Sequence, residues 1–429
     1  MKSYDPFDFP RPIGLGVATA PTQIEGFETQ NSWYDWAKIP GKIADGSTPS
    51  VADRHWTDFR ENIELMDQMG IRYYRLGLEW SRIEPEEGHF DKSALDRYRE
   101  ELKLLSERGI RPLVTLHHFS NPSWFERRGA FLSDGATEVF LRYVRYIVSE
   151  ISDLCDEYIT INEPNVYAVN GYLYGIWPPG EKSLSKALRV MNRLAICHLQ
   201  AVLAIREIYK DRPVQIGYAN HFRIFHSSSG RTGLQARLIR YLFQDGLTRF
   251  MTTGRPSFPF GTFSGMKPGT YCDFVGVNYY TRSKMKGFRE LPVPASKPRN
   301  DLGWEIYPDG IRLLANKYHD LYGLPVWITE NGTADRDDRF RSEYLYDHLR
   351  EIALHCPSVE RYYHWTFIDN FEWAEGETAR FGLVANHFQT QERTIRKSGQ
   401  FYSGIIRNNG ASAELISEYI IPWTNKQNI

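Results

Sequence analysis

Eight short runs rich in β-branched and aromatic residues recur along the chain, near 13–19, 73–79, 111–118, 157–163, 214–221, 274–280, 325–331 and 361–369. Each is apolar without alternating, the pattern of a strand buried on both faces in a parallel sheet. Segments with helical period lie between them: Leu95, Tyr98, Leu102 and Leu105 step by three and four, as do Phe140, Val144, Ile147 and Ile151. Gly70 and Gly109, each just ahead of a strand, read as helix C′ residues that turn the chain back. Strand and helix alternating through eight units predict an α/β fold, a (β/α)8 TIM barrel. At 429 residues the chain is long for one domain, but such barrels reach more than about 400 residues when loops are inserted. No linker or low-complexity tract divides the chain, so a single catalytic barrel domain over 1–429 is expected. Two irregular stretches, 251–273 and 281–308, read as long loops lining the barrel mouth.

In a barrel of parallel strands the carboxyl ends carry the chemistry and the opposite face carries stability. Two similar segments each put an acid at that end: Tyr158-Ile-Thr-Ile-Asn-Glu-Pro164 and Val326-Trp-Ile-Thr-Glu-Asn-Gly332. A lone strand-end glutamate is as readily a helix cap or an ion-pair partner. Two on like scaffolds, each flanked by Asn, read better as a working pair, Glu163 and Glu330. Cleaving an acetal needs a proton delivered to the departing oxygen and negative charge beneath an oxocarbenium-like carbon, and a glutamic acid with a glutamate provides both. Glycoside hydrolysis is the chemistry that fits. If the carboxyls lie about 5–5.5 Å apart, the second can attack directly and configuration is retained.

Composition removes other classes. Lys+Arg number 52 against 53 Asp+Glu, a net charge of −1, with no basic block for a phosphate backbone or an anionic membrane. Nucleic acid and membrane partners are therefore not expected. The four cysteines, 155, 197, 272 and 356, lie far apart with no CxxC spacing and read as reduced core residues. The first ten residues hold no apolar h-region and no stretch reaches the length of a membrane span, so a cytoplasmic protein is expected. Gly14-Leu-Gly16 begins like a dinucleotide fingerprint, but it lacks the third glycine and Pro21, Gly26 and Asn31 break any following helix. His117 and His118 are strand neighbours facing opposite ways, so only one enters the mouth, and no further ligand-spaced group makes a metal site. No cofactor is called for. Aromatics reach 14%, with 11 Trp and 26 Tyr, which suits a site that stacks on sugar faces.

Six segments then carry a resemblance: Ala18-Thr19-Ala20, Gln23-Ile-Glu-Gly26, Thr160-Ile-Asn-Glu-Pro164, Gly276-Val-Asn-Tyr-Tyr280, Thr329-Glu-Asn-Gly332 and Trp365-Thr-Phe-Ile-Asp-Asn-Phe-Glu-Trp373. Together, in this order and over almost the whole chain, they resemble the signatures of glycoside hydrolase family 1. The resemblance implies a retaining, exo-acting β-glycosidase of the β-glucosidase type, also taking β-fucosides or β-galactosides, with a small β-glycoside or oligosaccharide as its partner. It makes Glu163 the general acid and then base, and Glu330 the nucleophile. The two roles need opposite charge states, so a raised pKa is expected for Glu163 and an ionised Glu330. Arg75 and Tyr280 would hold the nucleophile charged. Asn162 would contact the sugar 2-hydroxyl, Asn278 resembles a further polar residue near the acid, and Gln23, His118, Trp365, Glu372 and Trp373 match the glycone pocket.

The chain also departs from the pattern. His117-His-Phe-Ser-Asn-Pro122 has Phe119 and Ser120 where the family commonly has Trp and Asp, which opens the glycone preference. Glu377 replaces a frequent Tyr, which opens the aglycone side; with Glu372 and Glu375 it would repel a 6-phosphorylated sugar. A sequon at Asn331-Gly-Thr333 is discounted as a buried strand end. Two alternatives stay open: a transglycosylase using the same intermediate, and a non-catalytic sugar-binding protein on this fold. The aromatic loops over 251–308 would bury against substrate or against a second subunit, leaving an oligomer open.

Overall fold

The computed structural model describes residues 3–228, 233–261 and 264–420. Eight strands form a parallel ring: β1 Gly14–Ala18, β2 Tyr73–Gly77, β3 Arg111–Thr115, β4 Glu157–Asn162, β5 Gln215–Ser227, β6 Val275–Lys286, β7 Val326–Asn331 and β8 Val359–Trp365. Each pairs with its neighbours in sequence, and β8 pairs with β1 to close the barrel. Every expected strand is present. Two run further than their apolar cores suggest, because the tips of β5 and β6 keep pairing beyond the barrel, from Ile224 opposite Arg282 to Ser227 opposite Met285. β8 lies earlier than expected and stops at Trp365, after which the Thr366 N–H donates to the Phe381 carbonyl.

The outer layer holds α1 His55–Gln68, α2 Lys92–Glu107, α3 Ala136–Ile151, α4 Leu184–Ile208, α5 Gly246–Thr253, α6 Asp309–Tyr322, α7 Arg341–His355 and α8 Lys397–Asn408. The periodic residues behave as their spacing requires: Leu95, Tyr98, Leu102 and Leu105 are buried on α2, and Phe140, Val144, Ile147 and Ile151 on α3. Asp91 caps α2 by accepting from the Ser93 and Ala94 N–H groups. Gly70 and Gly109 take φ of 74° and 64° behind α1 and α2, the left-handed C′ conformation that glycine allows. α4 corrects one expectation, being long and apolar enough to cross a membrane by length and composition. Most of its apolar residues are instead taken up by packing, with Ala187, Val190, Leu194 and Val202 buried.

The two irregular stretches separate. The segment 281–308 does reach the mouth, but it begins as the end of β6 rather than as a loop. The segment 251–273, over its described residues, does not line the catalytic cavity. It leads back to the opposite end of the barrel, where the Asp273 N–H donates to the carbonyl of Ile216 at the start of β5. Gly14-Leu-Gly16 lies in β1, and a four-residue helix, Pro21–Ile24, does follow it; Pro at its first position starts that turn rather than preventing it. All four cysteines are buried and free.

Candidate active site

Glu330 is the penultimate residue of β7. The chain then passes so near β8 that a Cβ at Gly332 would collide with the Trp365 carbonyl, which explains the glycine of this motif. Arg75, on β2, donates from Nη1 to Glu330 Oε1 at 2.5 Å, and the Tyr280 hydroxyl donates to Oε2 at 2.6 Å. Both carboxylate oxygens thus meet a donor, one of them cationic, in a site where Arg75 is fully buried. Burial nevertheless pushes the Glu330 carboxyl up to about 7; Arg75 opposes the rise, while charge on Glu163 adds to it. The expectation of an ionised Glu330 therefore rests on Arg75 and Tyr280, which oppose the rise. Strand-end position says nothing of desolvation, and the charge of this group at neutral pH depends on its two donors.

Glu163 follows β4 with φ of 43° and ψ of 58°, left-handed backbone that a side-chain-bearing residue rarely adopts, just before the short helix Pro164–Ala168. Its Oε1 faces Asn278 Nδ2 at 2.9 Å and His221 Nδ1 at 3.2 Å. Arg223 Nε–H donates to the other nitrogen of His221, Nε2, at 3.1 Å. An arginine can only donate, so Nε2 accepts and Nδ1 carries the hydrogen aimed at Glu163. Asn278 is fixed in the same way, since its Oδ1 accepts from the Thr329 hydroxyl at 2.6 Å. With two donors on Oε1, a proton held by Glu163 belongs on Oε2.

Asn162 links the two acids. Its Oδ1 accepts from Arg75 at 2.6 Å and from Asn278 at 3.0 Å, so Nδ2 must be the donor to His118 Nε2 at 3.0 Å. That leaves the hydrogen of neutral His118 on Nδ1, which has no protein partner although the imidazole lines the cavity. Burial, then Arg75 and His117, hold His118 well below its usual range, so it stays neutral. His117 points the other way, to Asn121 Oδ1 at 2.9 Å, as expected for strand neighbours. Gln23 donates to Glu372 Oε2 at 3.2 Å and to Asn370 Oδ1 at 3.1 Å, and its own Oε1 is buried without a partner. Indoles close this end: Trp373 lies 4.7 Å from Trp33 and 5.9 Å from Trp177, and His118 lies 5.7 Å from Trp365.

Burial pushes Glu372 up to about 8, with a hydrogen bond from Trp365 opposing and Glu330 adding. This acid is therefore largely neutral at pH 7, so it repels a phosphate dianion less than a fixed charge would. Glu377 corrects a second expectation. It lies outside the cavity, in a separate cleft with Asp45 and Arg380. The cavity wall holds one cation among the described residues, Arg223, and it is bonded to Ser283 and Glu290.

One cavity of about 750 Å³ holds Glu163, Glu330, His118, Trp365, Glu372 and Trp373. Arg75, Gln23, Asn162 and Asn278 are fully buried and stand behind that wall. Sequence reasoning brought all these together but missed His221 and Arg223, although a histidine late in the fifth strand answers to the same strand-end rule as the glutamates. It also missed the apolar outer half of the cavity.

A barrel with a buried carboxylate pair at its strand ends, opening into an aromatic-walled cavity, defines a glycoside-cleaving enzyme. The chain belongs to Glycosyl hydrolase family 1, whose pattern it matches over residues 6–251 and 269–411, and it is a glycoside hydrolase. It is 32% identical to beta-glucosidase A of Thermotoga maritima, over 94% of this chain and 98% of that one. It is 30% identical to a beta-galactosidase of Saccharolobus solfataricus, over 95% of this chain and 97% of that one. The solved structure of the Thermotoga maritima beta-glucosidase in complex with deoxynojirimycin superposes with a TM-score of 0.87 at 31% identity, covering 95% of this chain and all of that one.

Proposed function

We propose that the enzyme removes one terminal β-linked glucose, galactose or fucose unit by double displacement with retention. The observation that carries this reading is the division of labour between the carboxyls. Glu330 has each oxygen held by a donor of its own, while Glu163 has both donors on one oxygen and the other left for a proton. In the first step Glu163 gives its proton to the glycosidic oxygen, the C1–O bond breaks and a Glu330 oxygen attacks C1. In the second, Glu163 takes a proton from water, whose oxygen displaces Glu330 from C1. Exo action fits the indole-closed inner end, which leaves room for a terminal unit beside His118 and Glu372. The related beta-glucosidase and beta-galactosidase support an equatorial or axial 4-hydroxyl.

The test is a panel of nitrophenyl β-glucoside, β-galactoside and β-fucoside, with the anomer first released followed by proton NMR. Cleavage with the β-anomer appearing first is expected. An α-anomer appearing first would reject double displacement, and no cleavage of any of the three would reject the substrate class.

A further inference from the structure

Just beyond the end of β2, one carboxyl ties together the turns that follow three neighbouring strands. Glu79 is 1% exposed and stands behind the cavity rather than in its wall. Its Oε2 accepts from the Thr22 hydroxyl at 2.5 Å, and its Oε1 from the hydroxyls of Ser120 at 2.9 Å and Ser81 at 3.0 Å. Thr22 lies in the turn after β1 and Ser120 in the turn after β3, so the acid reaches to both neighbours of its own strand. Arg82, on the same turn as Glu79, donates to Glu25 at 2.7 Å instead, and the carboxyl partners of Glu79 among the described residues are hydroxyls. The local backbone is shaped for this tie. A Cβ at Gly77 would come within 2.5 Å of Pro21 Cδ, so the glycine lets the short helix Pro21–Ile24 lean on the end of β2. On the other side Phe119 holds φ of 67°, and the Ser120 N–H folds back onto the His118 carbonyl at 2.9 Å. Such backbone is costly for a phenylalanine and persists only where its surroundings hold it. The Ser120 hydroxyl on Glu79 is one such hold.

Each arm of the tie ends beside a side chain of the sugar end. Thr22 precedes Gln23, whose amide donates to Glu372. Ser120 follows His118 and Phe119, whose rings lie 5.9 and 5.3 Å from Trp373. We propose that Glu79 is a positioning residue of the sugar site, fixing Gln23 and His118 relative to each other from outside the cavity. The inference rests on the β-glycosidase reading and adds the support that sets its sugar contacts. The serine at 120 goes with this acid, because the Asp common in the family at that place would set a second buried carboxyl against Glu79. Burial pushes Glu79 up to about 7, with the Thr22 and Ser120 hydrogen bonds opposing and Glu25 and Glu28 adding, so protonated and ionised forms coexist at neutral pH. The turns therefore depend on hydrogen-bond geometry more than on charge, since a hydroxyl can turn to accept as well as donate.

The test is calorimetric titration with deoxynojirimycin, a sugar mimic without an aglycone, alongside cleavage of nitrophenyl β-glucoside. Loss of folded protein lowers the number of binding sites, whereas displaced contacts raise the Kd of the sites that remain. E79A should raise Kd about tenfold or more, and E79Q, which keeps the size and one acceptor oxygen, should stay within about threefold of wild type. T22V and S120A keep the carboxyl and carry the test if E79A does not fold; each should raise Kd about threefold to tenfold. On the E79A background S120A should add less than it does alone, because its partner is already gone. If the variants lose sites or Tm while Kd stays at the wild-type value, Glu79 only holds the fold together and this inference alone falls. If wild type neither cleaves the glucoside nor binds deoxynojirimycin, it falls together with the reading beneath it.

Discussion

The inner and outer halves of the cavity differ in how they are held. In the inner half the polar side chains come from strand ends or the turns just beyond them, are buried, and are oriented by another residue: Arg75 by Asn162, Asn278 by Thr329, Glu372 by Gln23. In the outer half the side chains come from helices and long strand tips, are mostly apolar apart from Asn170, Arg223, Ser283 and Glu290, and at the lip lie open to water. Fixed hydrogen-bond directions suit a ligand whose hydroxyls must be told apart, and nondirectional apolar contact suits one recognised by extent alone. On the β-glycosidase reading, chemistry and sugar choice fall to the first half, and the second half faces the leaving group.

Substitutions that separate the halves sharpen this. The largest effect is expected from E330Q, which should lower kcat by about 10⁴-fold or more whatever the aglycone, since no other group can take the nucleophile's place. E163Q should cost about 10²–10⁴-fold on alkyl glucosides, the range for a lost general acid, and far less on nitrophenyl glucoside, whose leaving group needs no proton. A uniform loss across both leaving groups would break the assignment of Glu163 as acid.

E372Q should raise KM for glucoside about tenfold or more, through a weakened hydrogen bond to a charged or proton-sharing group. It also makes a stability claim with a definite sign. Glu372 titrates near the ordinary glutamate value of 4.5 when unfolded and near 8 when folded. Below pH 4.5 both states hold the proton; between 4.5 and about 8 the unfolded state ionises while the folded state must keep its proton, so stability is lost as pH rises through that window. The Gln variant cannot ionise, so its Tm should gain on wild type across that window by about a few degrees, measured by calorimetry at pH 5 and 8. A constant difference would contradict the raised pKa. A smaller effect is expected from R223A, which frees the His221 tautomer and should shift one limb of the kcat/KM profile while changing kcat at the optimum by only about a fewfold. The smallest is L184S at the lip, expected to alter kcat/KM on octyl glucoside by about twofold or less, because this leucine is already half in water.

The same division explains what can be read from sequence. The eight strands are short apolar runs with local signatures, and the inner residues sit in motifs at their ends, so Glu163, Glu330, Arg75 and Tyr280 are legible in the sequence alone. The outer wall is not. Leu188 and Met191 lie on an apolar helix whose core face and cavity face use the same residue types, so periodicity cannot say which is which. The placement of the described residues of 251–273 away from the cavity is hidden for a related reason, since a stretch rich in Gly, Pro and Phe announces a loop but not the end of the barrel it returns to. The rise of Glu330 and Glu372 is hidden because it comes from burial, which no motif records.

The most direct test is E330A with nitrophenyl β-glucoside and added sodium azide. Removing the carboxylate opens the face of C1 opposite the leaving group, so azide should restore turnover and give the α-glucosyl azide, identified by NMR. No rescue by azide, or a β-glucosyl azide, would contradict Glu330 as the nucleophile.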